Sequence, residues 1–445
     1  MTDPSTLIAW ITLALVAAVA FLLERRRHAR ARRLVAAVEE SGRQEEAPSI
    51  HPRIDVAKCI GCGSCVEACP EGDALVVADG RARLIRPSHC VGHGRCEQVC
   101  PTGALTLVFG TAERGVTVPL LDENLQTSVP GIHAAGELSG FGLIRTAVSQ
   151  GVRAAERLAS SMGSTGRTNG GPDIAIIGAG PAGLAAALAC RERGISHVVL
   201  DQEGLGGSIL HYPRRKLVLT APVRLPVVGE MNFREVDKES LLAFWQDAVR
   251  RARIEIRAPR RVVAIDREDR AFRIRTPEGD VHARGVILAV GRRGTPRRLG
   301  VSGEDGANVA YRLLEPEPFA GRRVLVVGGG NSAIEAALAL LDAGARTRLA
   351  HRGDSFTRLA DANQRRLDRA VQSRTLEVHL KTQIRRIEPA EVTLDVEGRT
   401  CRLENDDVFI FAGGELPTAF LERLGVATTT YFGEPPRPPA AGKAA

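Results

Sequence analysis

Residues 173–203 read DIAIIGAGPAGLAAALACRERGISHVVLDQE. The apolar run Ile174–Ile177 predicts a buried strand, and the alanine-rich segment behind the turn predicts a helix. The turn itself holds three glycines in the pattern G-x-G-x-x-G: Gly178, Gly180 and Gly183. A second apolar stretch, Val198–Leu200, ends at Asp201, which lies 23 positions after the first glycine. The segment therefore predicts a strand, a tight turn, a helix and a second strand that ends on a carboxylate.

This arrangement is the Rossmann fingerprint of a dinucleotide-binding fold. The glycines allow a sharp bend and let a pyrophosphate approach the positive end of the helix. The carboxylate of Asp201 would hold ribose hydroxyls. The alternative is a glycine-rich turn of a doubly wound sheet that binds no ligand. We favour the nucleotide site, because strand, helix and acid all accompany the glycines.

A second copy of the pattern follows 150 residues later. The strand Val324–Val327 precedes the turn, and Asn331–Ala343 continues as a helix. The G-x-G-x-x-A turn consists of Gly328, Gly330 and Ala333. Its second strand ends in Ala350, His351 and Arg352, where the first copy has an acid. A basic residue there suits the 2′-phosphate of NADP, so we predict NADPH rather than NADH. Arg358 either assists this contact or is a solvated surface arginine.

Seven of the nine cysteines lie between Cys59 and Cys100. The first run is C-x2-C-x2-C-x3-C-P, formed by Cys59, Cys62, Cys65, Cys69 and Pro70. A second run follows at a constant offset of 31 residues, formed by Cys90, His93, Cys96, Cys100 and Pro101. In such runs three thiolates hold one iron–sulfur cubane and the fourth crosses to the other. Thiols this dense in a chain of this length favour metal in a reducing compartment over a disulfide scaffold.

The block 52–108 resembles bacterial two-cluster ferredoxins, and this resemblance implies two ligand sets. One 4Fe-4S cluster would be held by Cys59, Cys62, Cys65 and Cys100. The second would use Cys69, Cys90 and Cys96, with His93 in the place of a cysteine. Three outcomes stay open there: a 4Fe-4S cluster with an imidazole ligand, a 3Fe-4S cluster, or no cluster. We favour the first, because imidazole is a competent iron ligand. Structural zinc is the alternative for any cysteine cluster, but zinc ligands usually come as paired C-x2-C knuckles.

The two nucleotide folds together resemble the flavoproteins with tandem dinucleotide-binding domains, and more closely their thioredoxin-reductase-like branch, over residues 112–426. The resemblance implies FAD in the first fold and NAD(P)H in the second. In that family a segment near the C-terminus closes the FAD site, and its carboxylate bonds the ribityl chain. Here the matching segment, Thr127–Glu137, reads TSVPGIHAAGE and ends in Gly136 and Glu137. A helix over Leu143–Ser160 is predicted to follow it and to begin beneath the flavin ring.

This closing segment lies before the first glycine motif instead of after the second. Residues 407–417 and 421–426 resemble the stretch that normally precedes it, so the family's domain is predicted to be circularly permuted. Ser160–Gly171, rich in glycine and serine, would be the new connection, since a flexible segment of that length typically spans about 19 Å. The alternative is a swapped homodimer, in which residues 112–160 complete the FAD site of a second chain.

The N-terminal residues 6–23 contain no charge, and as a helix they would extend about 27 Å against a hydrocarbon core of about 30 Å. Seven arginines and three glutamates follow between Glu24 and Arg43. This arrangement predicts a single-pass membrane anchor that leaves the catalytic part on the cytoplasmic side. A signal peptide is the alternative, but its basic residues would precede the apolar stretch.

The chain has 445 residues, enough for about three domains, and 44% of them are hydrophobic. Its net charge is +8, with the arginines concentrated beside the apolar segment and only 4% aromatic residues, so nucleic acid is not an expected partner. The predicted fold is α/β, with two Rossmann-like domains for FAD and NADPH, a small α+β ferredoxin domain and one transmembrane helix. The predicted segments are 6–23 (anchor), 24–51 (basic linker), 52–108 (iron–sulfur domain), 112–160 (permuted part of the FAD domain), 161–171 (linker), 172–315 (FAD domain), 318–412 (NADPH domain) and 413–445 (return to the FAD domain, and tail).

NADPH delivers a hydride, iron–sulfur clusters take one electron at a time, and a flavin exchanges with both. The sequence therefore predicts electron transfer between NADPH, FAD and the clusters, to or from a ferredoxin-like carrier or a membrane redox protein. No acid, base or nucleophile is required for this chemistry. One alternative is reduction of a small organic substrate, such as a low-molecular-weight disulfide, at the flavin. Another is a relay or redox-sensing subunit of a membrane complex without turnover of its own.

Thioredoxin reductases carry a C-x-x-C dithiol beside the flavin, and outside the iron–sulfur block this chain has only Cys190 and Cys401. Both are predicted to be core residues, so a dithiol relay to thioredoxin is not expected. By resemblance, the basic segment His211–Lys216 would run beside the flavin and stabilise its reduced form. The alternative for this segment is a solvated loop.

Overall fold

The computed structural model describes residues 4–40, 50–162, 171–212, 214, 216–220, 222–269, 271–292, 295–357, 359–415 and 417–436. The chain divides into two compact units. The first contains Met1–Thr111 and Gly433–Pro435, and the second contains Ala112–Phe432. Arg358 and the linker residues 163–170 lie outside the described residues.

The α-helices of the described residues are α1 (Pro4–Glu40), α2 (Ser64–Ala68), α3 (Arg95–Gln98), α4 (Ile144–Ser161), α5 (Pro181–Glu192), α6 (Lys238–Ala252), α7 (Asn331–Asp342), α8 (Asp361–Gln372) and α9 (Thr418–Arg423). Helix α1 continues from the apolar segment through the arginine-rich run without a break, because alanine, arginine and glutamate are strong helix formers. The apolar segment predicted over 6–23 and residues 24–40 of the predicted basic linker thus lie in one helix.

Contrary to the anchor predicted over 6–23, the part of the chain that the structure describes holds no helix long and apolar enough to cross a membrane.

The strands of the first unit are β1 (Ile50–Ile54), β2 (Leu75–Ala78), β3 (Arg81–Leu84) and β4 (Leu105–Phe109). β1 pairs antiparallel with β4, which brings the two ends of the cysteine block together, with Ile50 opposite Phe109. β2 and β3 form a hairpin whose two turn residues, Asp79 and Gly80, both have positive φ. Ala31 of α1 packs on Val76 and Ala78 of β2.

The strands of the second unit up to residue 288 are β5 (Val116–Pro119), β6 (Ile132–Ala134), β7 (Ile174–Ile177), β8 (His197–Leu200), β9 (Leu217–Leu219), β10 (Val223–Leu225), β11 (Gly229–Met231), β12 (Glu235–Asp237), β13 (Ile256–Arg257), β14 (Ala264–Glu268), β15 (Ala271–Arg275), β16 (Val281–Ala283) and β17 (Gly285–Leu288). The later strands are β18 (Thr295–Pro296), β19 (Val309–Ala310), β20 (Arg323–Val327), β21 (Arg346–Ala350), β22 (Glu377–His379), β23 (Thr382–Ile387), β24 (Glu391–Val396), β25 (Arg399–Glu404), β26 (Asp407–Ile410), β27 (Gly414–Glu415) and β28 (Thr428–Tyr431).

Five strands form the first parallel sheet of this unit, in the order β13-β8-β7-β17-β6. The central strands β7 and β17 are buried along their whole length, as expected of a sheet covered on both faces. Strand β6, which precedes the others in the chain, is an edge strand beside β17, with Ile132 opposite Val286. Residues from before the first glycine motif therefore complete this sheet.

A second parallel sheet has the order β19-β26-β20-β21-β22. Strand β19 belongs to it through the pairing of Val309 with Val408, so the FAD segment predicted to end at residue 315 ends earlier. Two three-stranded antiparallel sheets, β14-β15-β16 and β23-β24-β25, accompany the two parallel sheets. Strand β28, near the C-terminus, pairs with β5, with Tyr431 opposite Val116.

Candidate cofactor cleft and iron–sulfur sites

A cleft of about 470 Å³ in the second unit brings the first glycine motif and the predicted closing segment together. Its lining includes Gly178 and Gly180 from the turn, Asp201 from the end of β8, and Gly136 and Glu137 from the segment after β6. The start of α4 also lines it. Residues separated by more than 40 positions in the chain thus meet in one cavity, because β6 and β7 lie on either side of β17 in the same sheet.

The glycines of this turn are required by close packing. Gly178 has φ +111°, and a Cβ there would lie 2.4 Å from the carbonyl oxygen of Ala289. Gly183 does not line the cleft, because it packs beneath the turn, where a Cβ would lie 1.8 Å from the Gly178 carbonyl oxygen. Above Gly180 the space is open, with Gly207 Cα the nearest atom to a Cβ at 3.9 Å. The turn is closed towards the sheet and accessible from the cleft.

Two helices begin at the cleft without a side-chain cap. Helix α5 starts after Gly180 with Pro181 in its first turn, and α4 starts after Leu143. The first backbone N–H groups of a helix lack intrahelical partners and carry its positive dipole end, so both starts favour an anionic or electron-rich ligand. The segment before α4 is fixed by Gln150, whose Oε1 accepts from the Gly136 N–H at 2.9 Å and lies 2.8 Å from Ser139 Oγ.

Asp201 organises the loop that follows β8. Its carboxylate accepts hydrogen bonds from the backbone N–H groups of Ala179 at 2.7 Å, Glu203 at 2.8 Å and Gly204 at 2.7 Å. A carboxylate has about four acceptor positions, so one is left for a ribose hydroxyl. The donors at the helix starts, the two carboxylates and the open space above Gly180 fit a dinucleotide in this cleft.

A charged network that sequence reasoning missed lies along the same cleft. Glu203 Oε2 lies 2.8 Å from His211 Nε2, and Glu203 Oε1 lies 3.2 Å from Arg312 Nη2. Arg312 Nη1 also lies 2.9 Å from His211 Nδ1. Burial, and then the neighbouring Arg312, lower the pKa of His211. No spacing in the sequence connects Arg312 with the other two, since they are about 100 residues apart.

The predicted basic segment His211–Lys216 divides between two environments. His211 and Tyr212 line the cleft, whereas Lys216 forms an ion pair with Glu335 of α7 at 2.7 Å. Arg214 is exposed, and Pro213 and Arg215 lie outside the described residues. The lysine therefore contacts the second nucleotide fold, not the cleft.

The second glycine motif has the same local geometry as the first. Gly328 has φ +148°, and a Cβ there would lie 2.6 Å from the Phe411 carbonyl oxygen and 3.0 Å from the Cβ of Ala333. Helix α7 begins after Gly330 without a side-chain cap. The ring of His351 lies against Gly329, where a Cβ would be 2.1 Å from its Cε1, and stacks on Phe356 at 5.1 Å. Arg352, two residues after the end of β21, is exposed.

In the first unit, four cysteines line one small pocket: Cys59, Cys62, Cys65 and Cys100. This is the set that the ferredoxin resemblance implies for the first cluster. The Ala82 N–H donates to Cys59 Sγ at 3.3 Å, and the Ala104 N–H donates to Cys100 Sγ at 3.2 Å. Such bonds stabilise thiolates, the form that ligates metal. Among the described residues no group of three or more His, Cys, Asp or Glu side chains has an arrangement that would hold a single metal ion.

The remaining three cysteines of the block interact with each other. Burial, then Cys90, and to a smaller extent Cys69, raise the pKa of Cys96 to about 12. Burial, opposed by the Gly92 N–H and aided by Cys69, raises the pKa of Cys90 to about 11. The Nδ1 of His93 accepts from the Arg95 N–H at 3.5 Å. In the absence of a metal, burial therefore favours the protonated form of both thiols, and their ligation of iron would require the proton to leave.

The two cysteines outside the block differ. Cys190 in α5 is fully buried, and burial raises its pKa to about 12, as expected of a core residue. Cys401 is exposed, so its prediction as a core residue is wrong. It lies on β25, the edge strand of an antiparallel sheet, whose residues are almost all exposed.

Two family models match the chain. Residues 175–435 match the pyridine nucleotide-disulphide oxidoreductase family, and residues 51–101 match a 4Fe-4S dicluster domain. The first match covers more than half of the chain.

Curated relatives and a solved structure are similar over the same part. A ferredoxin–NADP reductase of Ignicoccus hospitalis is 30% identical over 45% of this chain, which spans only 62% of that reductase. The bacilliredoxin reductase Bdr of Bacillus subtilis is 28% identical over 58% of this chain and 82% of its own length. The structure of bacillithiol disulfide reductase Bdr from Bacillus cereus is 28% identical, with a TM-score of 0.54, over 57% of this chain and 82% of that one.

The two parallel sheets and the cysteine pocket coincide largely with the residues that the two family models match. The second sheet falls wholly within the matched residues. So does the first sheet, except for the edge strand β6 and the first residue of β7, which precede the match. The four cysteines of the pocket fall within the dicluster match, and two further lining residues, Thr102 and Leu105, follow it. The chain is thus a member of the pyridine nucleotide-disulphide oxidoreductase family that also carries a 4Fe-4S dicluster domain.

Proposed function

We propose that the chain is an FAD-dependent NADPH oxidoreductase that passes electrons between NADPH, FAD and iron–sulfur clusters. The observation that carries this proposal is the single cleft in which Gly136 and Glu137 meet Gly178, Gly180 and Asp201. When bound, a flavin supplies the conversion between two-electron and one-electron transfer. A chain with two nucleotide folds and a cluster domain requires that conversion.

Within the cleft, each group has a distinct role in binding FAD. The free N–H groups at the start of α5 bind the pyrophosphate, and the remaining acceptor position of Asp201 binds a ribose hydroxyl. Glu137 accepts from the ribityl chain. The positive start of α4 favours the reduced, more electron-rich ring. These residues bind FAD and transfer no proton.

The second nucleotide fold binds NADPH in this proposal. The start of α7 takes the pyrophosphate, as the start of α5 does for FAD. Arg352, together with His351 at the end of β21, takes the 2′-phosphate. The exposed position of Arg352 leaves its guanidinium accessible to a ligand phosphate.

The electron partner is a ferredoxin-like carrier or a membrane redox protein. The support comes from the ferredoxin–NADP reductases among the relatives and from the cluster domain in the chain itself. The exposed Ile60 and Cys62 place the first cysteine pocket close to solvent, where single electrons can leave or enter. The direction of flow follows from the potential of that partner.

The nucleotide-binding part is also proposed to be circularly permuted relative to its family. The family match begins at residue 175, after Gly136 and Glu137. Supporting this, β6 completes the sheet beside β17, and α4 packs on α5 so closely that a Cβ at Gly151 would lie 2.0 Å from the Ala182 carbonyl oxygen. A swapped homodimer would use the same contacts between two chains.

A second candidate function is reduction of a low-molecular-weight disulfide. The Bdr structure from Bacillus cereus favours it, because that protein is named for the reduction of bacillithiol disulfide. In this case electrons would leave the flavin for the organic substrate, and the clusters would stay oxidised during turnover with NADPH. A subunit without turnover would leave the flavin itself oxidised.

The test is rapid mixing of the anaerobically purified full chain with NADPH. We expect the flavin absorbance to bleach first and the cluster absorbance to follow. Glu137→Gln should lower the FAD content, whereas Glu123→Gln, at an exposed glutamate that does not line the cleft, serves as the control and should not. Flavin bleaching without cluster reduction would favour the disulfide reductase, and zinc without acid-labile sulfide would contradict the cluster assignment.

The predicted localisation, with the catalytic part on the cytoplasmic side of a membrane, stays a prediction. It draws support from α1, where large apolar side chains from Trp10 to Leu23 are exposed and an arginine-rich run follows. A continuous exposed apolar surface marks a site that contacts lipid or another protein, and arginines bind anionic lipid headgroups.

A further inference from the structure

The two cysteine runs fold as structural copies of each other. Each contains two left-handed glycines, at equivalent positions in the 31-residue offset, with φ values of 68° and 82° in the first run and 72° and 76° in the second: Gly61, Gly63, Gly92 and Gly94. Helices α2 and α3 begin directly after the second glycine of each pair. The backbone position of His93 is therefore that of Cys62.

The hydrogen bonds of the two turns agree as well. The Gly63 carbonyl accepts from Val66 N at 2.9 Å and Glu67 N at 3.1 Å. The Gly94 carbonyl accepts from Glu97 N and Gln98 N, both at 3.2 Å. In sequence these donors are again 31 residues apart, so the turn that presents Cys62 to its pocket is repeated at His93.

The side chains of Cys62 and His93 each accept from the backbone N–H two residues later in the chain. The N–H of Ser64, the second residue after Cys62, bonds to its Sγ, and the Ser64 hydroxyl lies 3.5 Å from that sulfur. The N–H of Arg95, the second residue after His93, donates to its Nδ1 at 3.5 Å. The imidazole thus stands where the ligating cysteine stands in the first copy. Because an imidazole nitrogen has a single lone pair, iron at Nδ1 would replace this 3.5 Å contact with the Arg95 N–H, whereas a sulfur can keep its contact.

The second site differs from the first in charge. A neutral imidazole in place of a thiolate gives it one negative charge fewer than a site of four cysteines.

We propose that His93 is the fourth ligand of the second 4Fe-4S cluster, through Nδ1, with Cys69, Cys90 and Cys96 as the other three. The Nε2 keeps its proton, so ligation releases none. This inference rests on the proposed function only for the presence of the clusters. Imidazole ligation raises a cluster's potential, so the second cluster is the easier one to reduce and collects the electrons.

The first experiment labels the histidines of the full chain with ¹⁵N and reduces the protein with dithionite, so that NADPH and FAD play no part. Pulsed EPR should detect ¹⁵N coupled to one of two reduced clusters, and this coupling should be absent in His93→Cys. A wild-type protein without the coupling, or with the EPR signal of an oxidised 3Fe-4S cluster, would overturn the proposal. An iron content sufficient for only one cluster per chain would also overturn it.

Matched substitutions at the two equivalent positions provide the second experiment. His93→Ala should lose about one iron per chain from the second cluster, and Cys62→Ala should lose about one from the first, with distinct EPR signals. His93→Cys should keep both cubanes and move the potential of the second to a more negative value. If His93→Ala does not fold, this cysteine variant decides: an unchanged potential contradicts ligation by His93. Failure of NADPH to reduce the clusters would contradict only the proposed function.

Discussion

Arg352 is the residue on which the choice of nicotinamide cofactor depends. The two glycine motifs have the same backbone geometry, so the turn itself does not distinguish a 2′-hydroxyl from a 2′-phosphate. What differs is the end of the second strand, where β8 is followed by Asp201 and β21 by His351 and Arg352. A carboxylate accepts a hydrogen bond from a ribose hydroxyl and repels a phosphate. A guanidinium donates hydrogen bonds to a phosphate and attracts its negative charge.

Arg352→Ala should therefore weaken NADPH much more than NADH. A charge-assisted hydrogen bond of this kind contributes roughly 1.5 to 3 kcal/mol, which corresponds to a rise in the NADPH dissociation constant of more than tenfold. Flavin reduction at increasing concentrations of each nucleotide measures it. Arg346, exposed at the other end of β21, provides the matched control, and equal losses for both nucleotides would count against the assignment.

His133 in β6 should make the second unit sensitive to pH. Its side chain is 2% exposed, and burial, which Asp122 offsets in part, lowers its pKa from 6.5 to about 4. The unfolded chain binds the proton below pH 6.5, whereas the folded chain binds it only below about 4. Stability should therefore fall as pH decreases through this window, by about 1.3 kcal/mol between pH 7.5 and 5.5.

Urea unfolding followed by tryptophan fluorescence measures this effect, since Trp245 is fully buried in the second unit. His133→Phe should abolish this part of the pH dependence, and the exposed His282→Gln should leave it in place. Equal pH dependence in wild type and His133→Phe would show that another group is responsible.

At the scale of elements, apolar periods and glycine turns predicted the parts that hold the cofactors. The strand predicted over Ile174–Ile177 has those bounds, and the helix predicted over Leu143–Ser160 is Ile144–Ser161. These elements are long, buried and strongly patterned, so local signals suffice. The closing segment was found only through family resemblance, because its spacing carries no periodic signal.

Other features could not be predicted because they depend on neighbours distant in the chain. Strand β19 has two residues and is defined by its partner β26, and Cys401 is exposed because no strand covers β25. The network of Arg312 with Glu203 and His211 likewise joins distant segments. The end of the apolar segment was predicted as an element boundary, but helix propensity carries α1 on to Glu40.

The contact of α4 with α5 is the element-scale feature that most directly tests how the cleft is built. A Cβ at Gly151 would lie 2.0 Å from the Ala182 carbonyl oxygen, which is backbone and cannot move aside. Gly151→Ala should push the helices apart and destabilise the second unit by about 1 to 3 kcal/mol, with loss of FAD. Ser149→Ala on the exposed side of α4 should be neutral or slightly stabilising. Urea unfolding and bound flavin per chain measure both effects, and full FAD content in Gly151→Ala would contradict this packing.

At the scale of the whole molecule, segments that are far apart in the chain pair with each other in the second unit. Residues 116–119 pair with residues 428–431, and β6 pairs with β17, so the first and last parts of the second unit meet. Termini that lie close together are what allow a chain to be permuted without loss of its core. The first unit has the same feature, since Phe109 bonds with Gly433 and Glu434.

Truncation tests whether the early segment belongs to the FAD site. A chain that starts at Gly171 keeps both glycine motifs but lacks β6, Glu137 and α4, so the sheet loses an edge strand and the cleft loses one wall. We expect it to fold poorly or to lose FAD, whereas a chain that starts at Gly110 should retain FAD; bound flavin per chain and near-UV circular dichroism measure this. Equal FAD binding by both would contradict circular permutation.

A mixing experiment distinguishes a permuted monomer from a swapped homodimer. Chains with Glu137→Ala are mixed with chains that carry Gly178→Val, and bound FAD is measured. In a permuted monomer no chain has a full FAD site, so FAD binding should stay absent. Recovery of FAD binding in the mixture would instead identify exchange of residues 112–160 between two chains.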